Sequence, residues 1–191
     1  MLTAENLYSL EQYARIRPEF RARVIEHKKS RRLALGEHAA LYFEDQLTMQ
    51  YQVQEMLRLE RMFEPDRIQD ELDVYNPLIP DGSNWKATFM VEYSDVDERR
   101  DALAKLVGIE DKVWLQVQGH ERVHPVANED LERSTPDKTA SVHFMRFELT
   151  PAMCAAAKAG AAILAGIDHP AYRLELQVPD NVRASIVADL A

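Results

Sequence analysis

The stretch Trp85–Tyr93, WKATFMVEY, decides how this chain is read. Trp85, Ala87, Phe89, Val91 and Tyr93 occupy alternate positions, and a period of two puts them on one face of a half-buried strand. On its C-terminal side, Ser94 and Asp97 make a capping-box-like start to a helix, DVDERRDALAKLV, with Gly108 as its stop. KVWLQVQ then reads as a strand, ERVHPVA as a second after a turn near Gly119-His120, and TASVHFMRFEL as a third. Thr150 and Pro151 open an alanine-rich helix that is expected to end near Gly166. YRLELQV is a last strand and NVRASIVADL a last helix. From residue 84 the order is strand, helix, three strands, helix, strand, helix. This predicts an α+β fold: a largely antiparallel sheet with ferredoxin-like split βαβ features and helices on one face.

Upstream the pattern is mainly helical. Thr3 is expected to cap a first helix through about Ala14. Arg17-Pro18 interrupts it, and Pro18 suits the first position of a second helix running to about Arg31. RRLALG and AALYFED read as a short hairpin around Gly36-Glu37-His38. Asp45 caps a helix with Met49, Val53, Met56, Leu57 and Phe63 at helical spacing. Pro65 opens a further helix, PDRIQDELDVY, which ends before Asn76-Pro77 because a residue preceding proline avoids the helical region. The expected division is a mainly helical part with a short hairpin at 1–80 and an α+β sandwich at 81–191, forming one compact unit.

Composition excludes several classes. With 46% apolar and 29% charged residues, the chain can bury a core and is not disordered. No apolar run approaches the roughly 20 residues of a membrane span. The N-terminal MLTAENLYSLEQY lacks a charged region followed by an apolar one, so a cytoplasmic location is expected. Cys154 is the single cysteine, which rules out an internal disulfide, an iron–sulfur cluster and a cysteine-rich zinc site. The net charge of −9 disfavours nucleic acid as a partner.

Against that acidic background stands one basic segment. Arg15, Arg17, Arg21, Arg23, Lys28, Lys29, Arg31 and Arg32 are opposed within it only by Glu19 and Glu26, a local charge of +6 that leaves −15 for the remainder. At 100° per residue, Arg17, Arg21, Lys28 and Arg32 project within about 60° of one another, beside Val24 and Ile25. One reading is that these cations bridge to carboxylates on neighbouring helices, such as Glu55, Glu60 or Glu71. The sharper reading is a face that binds a small anion or an acidic partner protein, for which the arginine fork is well shaped.

Other residues carry weaker chemical signals. His143 alternates with Ser141, Met145 and Phe147, which suits a core histidine or a general base at a pocket edge. Asp168-His169-Pro170 could pair an orienter with a base, or simply close a turn. Asn76, Asp81 and Asn84 lie in the rigid connector NPLIPDGSN and could present polar groups at the junction of the two parts. Glu121 and His124 have the Glu-x-x-His spacing of a di-iron helix, but in a strand they face opposite sides. His120 and His124 would lie about 13 Å apart, too far for one ion. Cys154 near a helix N-terminus is either activated or simply buried. There is no Walker A loop, dinucleotide fingerprint, nucleophile elbow or His-Glu-x-x-His. Neither a metal nor a cofactor is expected.

Over nearly its whole length the chain resembles the bacterial family known as domain of unknown function 3501. The resemblance is carried by IRPEFRARVIEHKKSRR, YFEDQLTMQYQVQEMLRLER, YNPLIPDGSNWKAT, KTASVHFMRFELT and GIDHPAY. It brings no catalytic residues to transfer. Members are often encoded near rubrerythrin and an iron–sulfur oxidoreductase, so the resemblance implies a peroxide-defence or electron-transfer context. With one cysteine and no paired Glu-x-x-His helices, the chain is not itself either of those components.

The resulting expectation is a cytoplasmic accessory or binding protein of a redox system, taking an acidic partner or small anion on Arg17, Arg21, Lys28 and Arg32. The alternative is an enzyme on a small anionic substrate, with arginine orienting it and His143 or His169 moving protons. A structural subunit with all eight cations paired internally is a third reading, and a homodimer is compatible with each. A binding face leaves the arginines exposed and the histidines scattered. An enzyme gathers an arginine, a histidine and a carboxylate around one closed pocket.

Overall fold

The structure is a computed structural model that describes residues 1–191. It is α+β, with six α-helices and two antiparallel sheets. The strand read from WKATFMVEY is β3 (Asn84–Val91), and its inward residues Trp85, Ala87, Phe89 and Val91 are all buried. It sits at the centre of sheet I, between β2 (Ala39–Phe43) and β7 (Val142–Glu148). β1 (Arg32–Ala34) and β6 (Val126–Ala127) form the edges. Sheet II has the order β5-β4-β8-β9, from Arg122–Val123, Val113–Val117, Ile163–His169 and Tyr172–Gln177.

The expected antiparallel sheet is thus present as two sheets, and the helices carry the chain between them. α4 (Val96–Lys105) leads from β3 to β4, and α5 (Pro151–Lys158) leads from β7 to β8. The inner faces of both sheets contribute to one core of 27 buried residues. α6 (Asp180–Val187) closes it with Val182 and Ile186, followed by Leu190 after the helix, and the Trp85 indole N–H donates to the Ile186 carbonyl at 2.8 Å.

Several expected boundaries differ. ERVHPVA, expected as one strand, is two: β5 pairs with β4 in sheet II, and after Pro125 β6 pairs with β7 in sheet I. The first and second helices are one helix, α1 (Leu10–Lys28), with Pro18 inside it. Pro18 leaves the Ala14 carbonyl without its helical donor, but Ala14 and Pro18 are both exposed, so water can satisfy the group. The N-terminal signal is at Ser9, whose hydroxyl accepts from the Gln12 amide while the Gln12 side chain accepts from the Ser9 amide. Thr3 caps only the short 3₁₀ turn Ala4–Asn6.

The alanine-rich helix stops at Lys158, not near Gly166. Gly160, at φ 104°, is the left-handed stop that ends it. Gly166 lies within β8, opposite Trp114 of β4. A Cβ there would fall 2.3 Å from the Trp114 ring and 2.6 Å from the Leu174 carbonyl, so only glycine fits beneath the indole.

α2 (Gln46–Leu59) and α3 (Pro65–Tyr75) complete the helical part with α1, and two small clusters hold these helices together. Tyr13, Phe20 and Val24 form one, and Met49, Val53, Leu57 and Leu72 anchor the other. The Glu44 carboxylate joins this part to sheet I by accepting from Thr48 of α2 at 2.6 Å and from Thr88 of β3 at 2.8 Å.

Candidate functional site

The eight cations of the basic segment divide into two sets. Arg17 grips Glu55 of α2 in a fork, Nε to Oε1 at 2.7 Å and Nη2 to Oε2 at 3.0 Å. Tyr13 and Arg58 donate to the same carboxylate. Chiefly through the Arg17 hydrogen bond, the Glu55 pKa falls to about 2. Burial, with Glu55 as neighbour, pushes the Tyr13 hydroxyl up. Arg17 is therefore a strut between α1 and α2.

Lys29 pairs with Glu26 in solvent. Arg31 is buried, with only 2% of its surface exposed, and donates to the Phe43 and Glu44 carbonyls, Ser185 and Asp189. Arg32 reaches Tyr42 at 3.0 Å and Glu92 at 3.3 Å.

Arg15, Arg21, Arg23 and Lys28 have no carboxylate within ion-pair distance. Arg23 covers the Phe20 ring, and Lys28 lies 5.9 Å from the Tyr51 ring centroid. Arg21, Ile25 and Lys28 lie within about 60° on the outer face of α1. Ile25 is half exposed between the two cations.

This stripe borders an open groove of about 650 Å³ where the end of α1 meets sheet I. Lys28, Lys29 and Arg32 line it together with Tyr42, Met90 and two carboxylates, Glu44, held by Thr48 and Thr88, and Glu92, held by Tyr42 and Arg32. The Tyr42 hydroxyl donates to Glu92 at 2.5 Å. Burial and that carboxylate raise its pKa, while the Tyr42 bond holds Arg32 protonated. Of the four residues expected to share a face, Lys28 and Arg32 meet at this groove, Arg21 extends the row along α1, and Arg17 is turned inward. Tyr42 and Met90 were not singled out in the sequence. They join the site through the pairing of β2 with β1 and with β3, which no local pattern records.

The histidines lie elsewhere. His143 is fully buried. Its Nδ1 accepts from Asn128 Nδ2 at 3.0 Å, and its Nε2 lies 3.0 Å from the Ala140 carbonyl and 2.9 Å from the Thr139 hydroxyl. Thr139 in turn donates to Glu110 at 3.2 Å. A neutral ring protonated on Nε2 satisfies the whole chain, and burial lowers the pKa accordingly.

His169 is likewise buried, with Nε2 donating to the Val107 carbonyl and Nδ1 accepting from the Ala171 amide. Asp168 is its neighbour on β8, so the two side chains point to opposite faces. Asp168 bonds to Arg122 at 2.8 Å instead. The orienter-and-base pair suggested by their adjacency is not formed.

The connector residues hold the backbone. Asn76 accepts from the Leu2 amide at 2.7 Å and donates to the Leu2 carbonyl at 2.9 Å, which pins the N-terminal segment. Asp81 closes a turn on Ser83. Asn84 is buried and joins the Asp81 amide to Glu148. Cys154 is also buried, and burial raises its thiol pKa. No three histidine, cysteine or carboxylate side chains cluster closely enough to hold a metal ion. No helix is long and apolar enough to cross a membrane.

A family model described as "Protein of unknown function (DUF3501)" matches residues 1–190. A crystal structure from Burkholderia pseudomallei K96243, of a novel protein of unknown function, is 51% identical in sequence, with a TM-score of 0.94 over 100% of this chain and 99% of that chain. No curated protein matches. The chain belongs to the DUF3501 family.

Proposed function

We propose that this member of the DUF3501 family is an accessory protein of a redox system that docks an acidic partner protein on the outer face of α1 and the adjoining groove. The redox context rests on the family resemblance. The docking face rests on one observation: Arg21 and Lys28 flank the half-exposed Ile25 and have no carboxylate of their own. A cation without an internal partner costs nothing to leave in water and gains from an anion that arrives. An apolar side chain between two such cations adds contact area that a purely solvated face lacks.

The row favours a protein surface over a small anion. Arg21 and Lys28 are seven residues apart, about 10 Å along the helix axis, and Arg32 continues beyond them. One phosphate or carboxylate cannot span that length, whereas several Asp or Glu side chains on a partner can. Each exposed contact is worth at most about 1 kcal/mol, so the complex should be weak, fast-forming and sensitive to salt.

The test is affinity recovery from native cell extract at low salt, wild type against Arg21→Glu/Lys28→Glu. Both substitutions lie on exposed positions and should leave the unfolding midpoint unchanged. An acidic partner recovered by wild type and lost by the variant supports the reading. Equal recovery by both proteins removes it.

A further inference from the structure

A second cavity lies between α3, the connector and the outer face of sheet I. It encloses about 490 Å³, a volume suited to a small ligand. Val74, Leu78 and Phe144 give it apolar walls, and Lys86 of β3 enters between them. Val74 lines the cleft and is 63% exposed, so its side chain is accessible to a ligand there.

The charges at this cleft are unevenly satisfied. Arg146 is held by Glu129 and Glu148. Arg133 is held by Asp130, with its guanidinium 4.6 Å from the Phe144 ring centroid. Asp73 accepts from Gln69 on the exposed side of α3. Lys86 alone among the cations has no carboxylate partner: its ammonium donates to the Pro77 carbonyl and stands within ion-pair distance of no acid. Burial lowers its pKa even though Asp81, Glu129 and Glu148, beyond ion-pair distance, pull it the other way, which marks the ammonium as under-solvated.

We propose that this cleft binds a small organic monocarboxylate, with the carboxylate on the Lys86 ammonium and the apolar body against Phe144, Leu78 and Val74. A single free cation calls for a single negative charge. Phosphate and dicarboxylates fit poorly, because Glu129 and Asp130 already compensate the two arginines and would repel a second charge. The apolar walls favour an aliphatic or aromatic body over a sugar or a peptide backbone. The site is separate from the α1 groove, and its occupancy does not depend on the docking reading.

Hexanoate and benzoate, with hexanol, benzyl alcohol and inorganic phosphate as controls, test this by calorimetric titration of the full chain. At least one carboxylate should saturate at low millimolar concentration or better, with its alcohol at least about tenfold weaker, as expected when a charged hydrogen bond is lost. Lys86→Met keeps the stem and should lose the same factor, while Lys28→Glu should bind as wild type. Val74→Glu, at an exposed position, places an acid at the mouth without disturbing the fold and should weaken the carboxylate severalfold. Alcohols or phosphate binding as tightly as the carboxylates, an unchanged affinity in Val74→Glu, or no saturation by either acid at 10 mM (roughly the edge of useful affinity) would each overturn the proposal.

Discussion

The Arg31 guanidinium lies 2.5 Å from the Asp189 carboxylate, 158 positions along the chain. This contact ties the end of α1 to the residues after α6. Burial pushes the Asp189 carboxyl up even with the guanidinium beside it, so desolvation outweighs the attraction of the pair. Removing one partner therefore strands a buried charge. Arg31→Met should cost about 3–5 kcal/mol in urea unfolding, and adding Asp189→Leu should recover at least about 1 kcal/mol of that loss. A double variant no more stable than Arg31→Met would show that the lost bonds to the Phe43 and Glu44 carbonyls, not the stranded acid, carry the effect.

Arg17 and Arg21 sit one turn apart on α1 and should behave oppositely. Arg17→Ala removes the fork on Glu55 and should lower the unfolding midpoint. Arg21→Ala and Lys28→Ala should change stability by no more than about 0.5 kcal/mol, as surface substitutions do. Partner binding should respond in the reverse order. Thermal melts with binding measured on the same samples separate the two roles.

His143 predicts a pH dependence of definite sign. Its folded pKa lies below the ordinary 6.5, so the unfolded chain takes up the proton first. Stability from this site is intact above pH 6.5 and is lost as the pH falls below it. His143→Gln should flatten that part of the stability–pH curve relative to wild type, read from urea midpoints between pH 7.5 and about 5, a window chosen to span the ordinary histidine range. An identical slope in both proteins would place the titration elsewhere.

Glu55 works at lower pH. Its pKa falls to about 2 from 4.5, so its contribution is present above pH 4.5 and lost as the pH drops toward 2. Acid unfolding of Glu55→Gln should lack that component, while the wild type shows it.

Gly166→Ala should destabilise by about 3 kcal/mol or more, because the new methyl meets a rigid indole and a backbone carbonyl that cannot both move away. Adding Trp114→Leu should relieve the indole part of the clash and leave the contact with the Leu174 carbonyl, so the double variant should recover part of the loss in chemical denaturation.

Several features were legible because they are local. The alternation from Trp85 to Val91, the Asp45 cap and the Pro65 helix start each depend on neighbouring residues and appear where expected. The continuous α1 was not legible from Arg17-Pro18, since a proline is tolerated where its orphaned carbonyl faces water, and exposure is a tertiary property. β8 was hidden because Ala155–Ala162 continues a helical composition up to the strand. Gly160 was the available stop signal.

By itself, the sequence determined the α+β class, the concentration of cations in residues 15–32 and the exclusion of an internal disulfide or a cysteine-bound cluster. Only the tertiary structure decided which cations are free. Arg17, Arg21, Lys28 and Arg31 are alike in composition and share one short segment. Arg17 meets Glu55 and Arg31 meets Asp189, while Arg21 and Lys28 meet water, because the partners come from α2 and from beyond α6. Charge is written in the residue, but its compensation depends on distances that only folding sets.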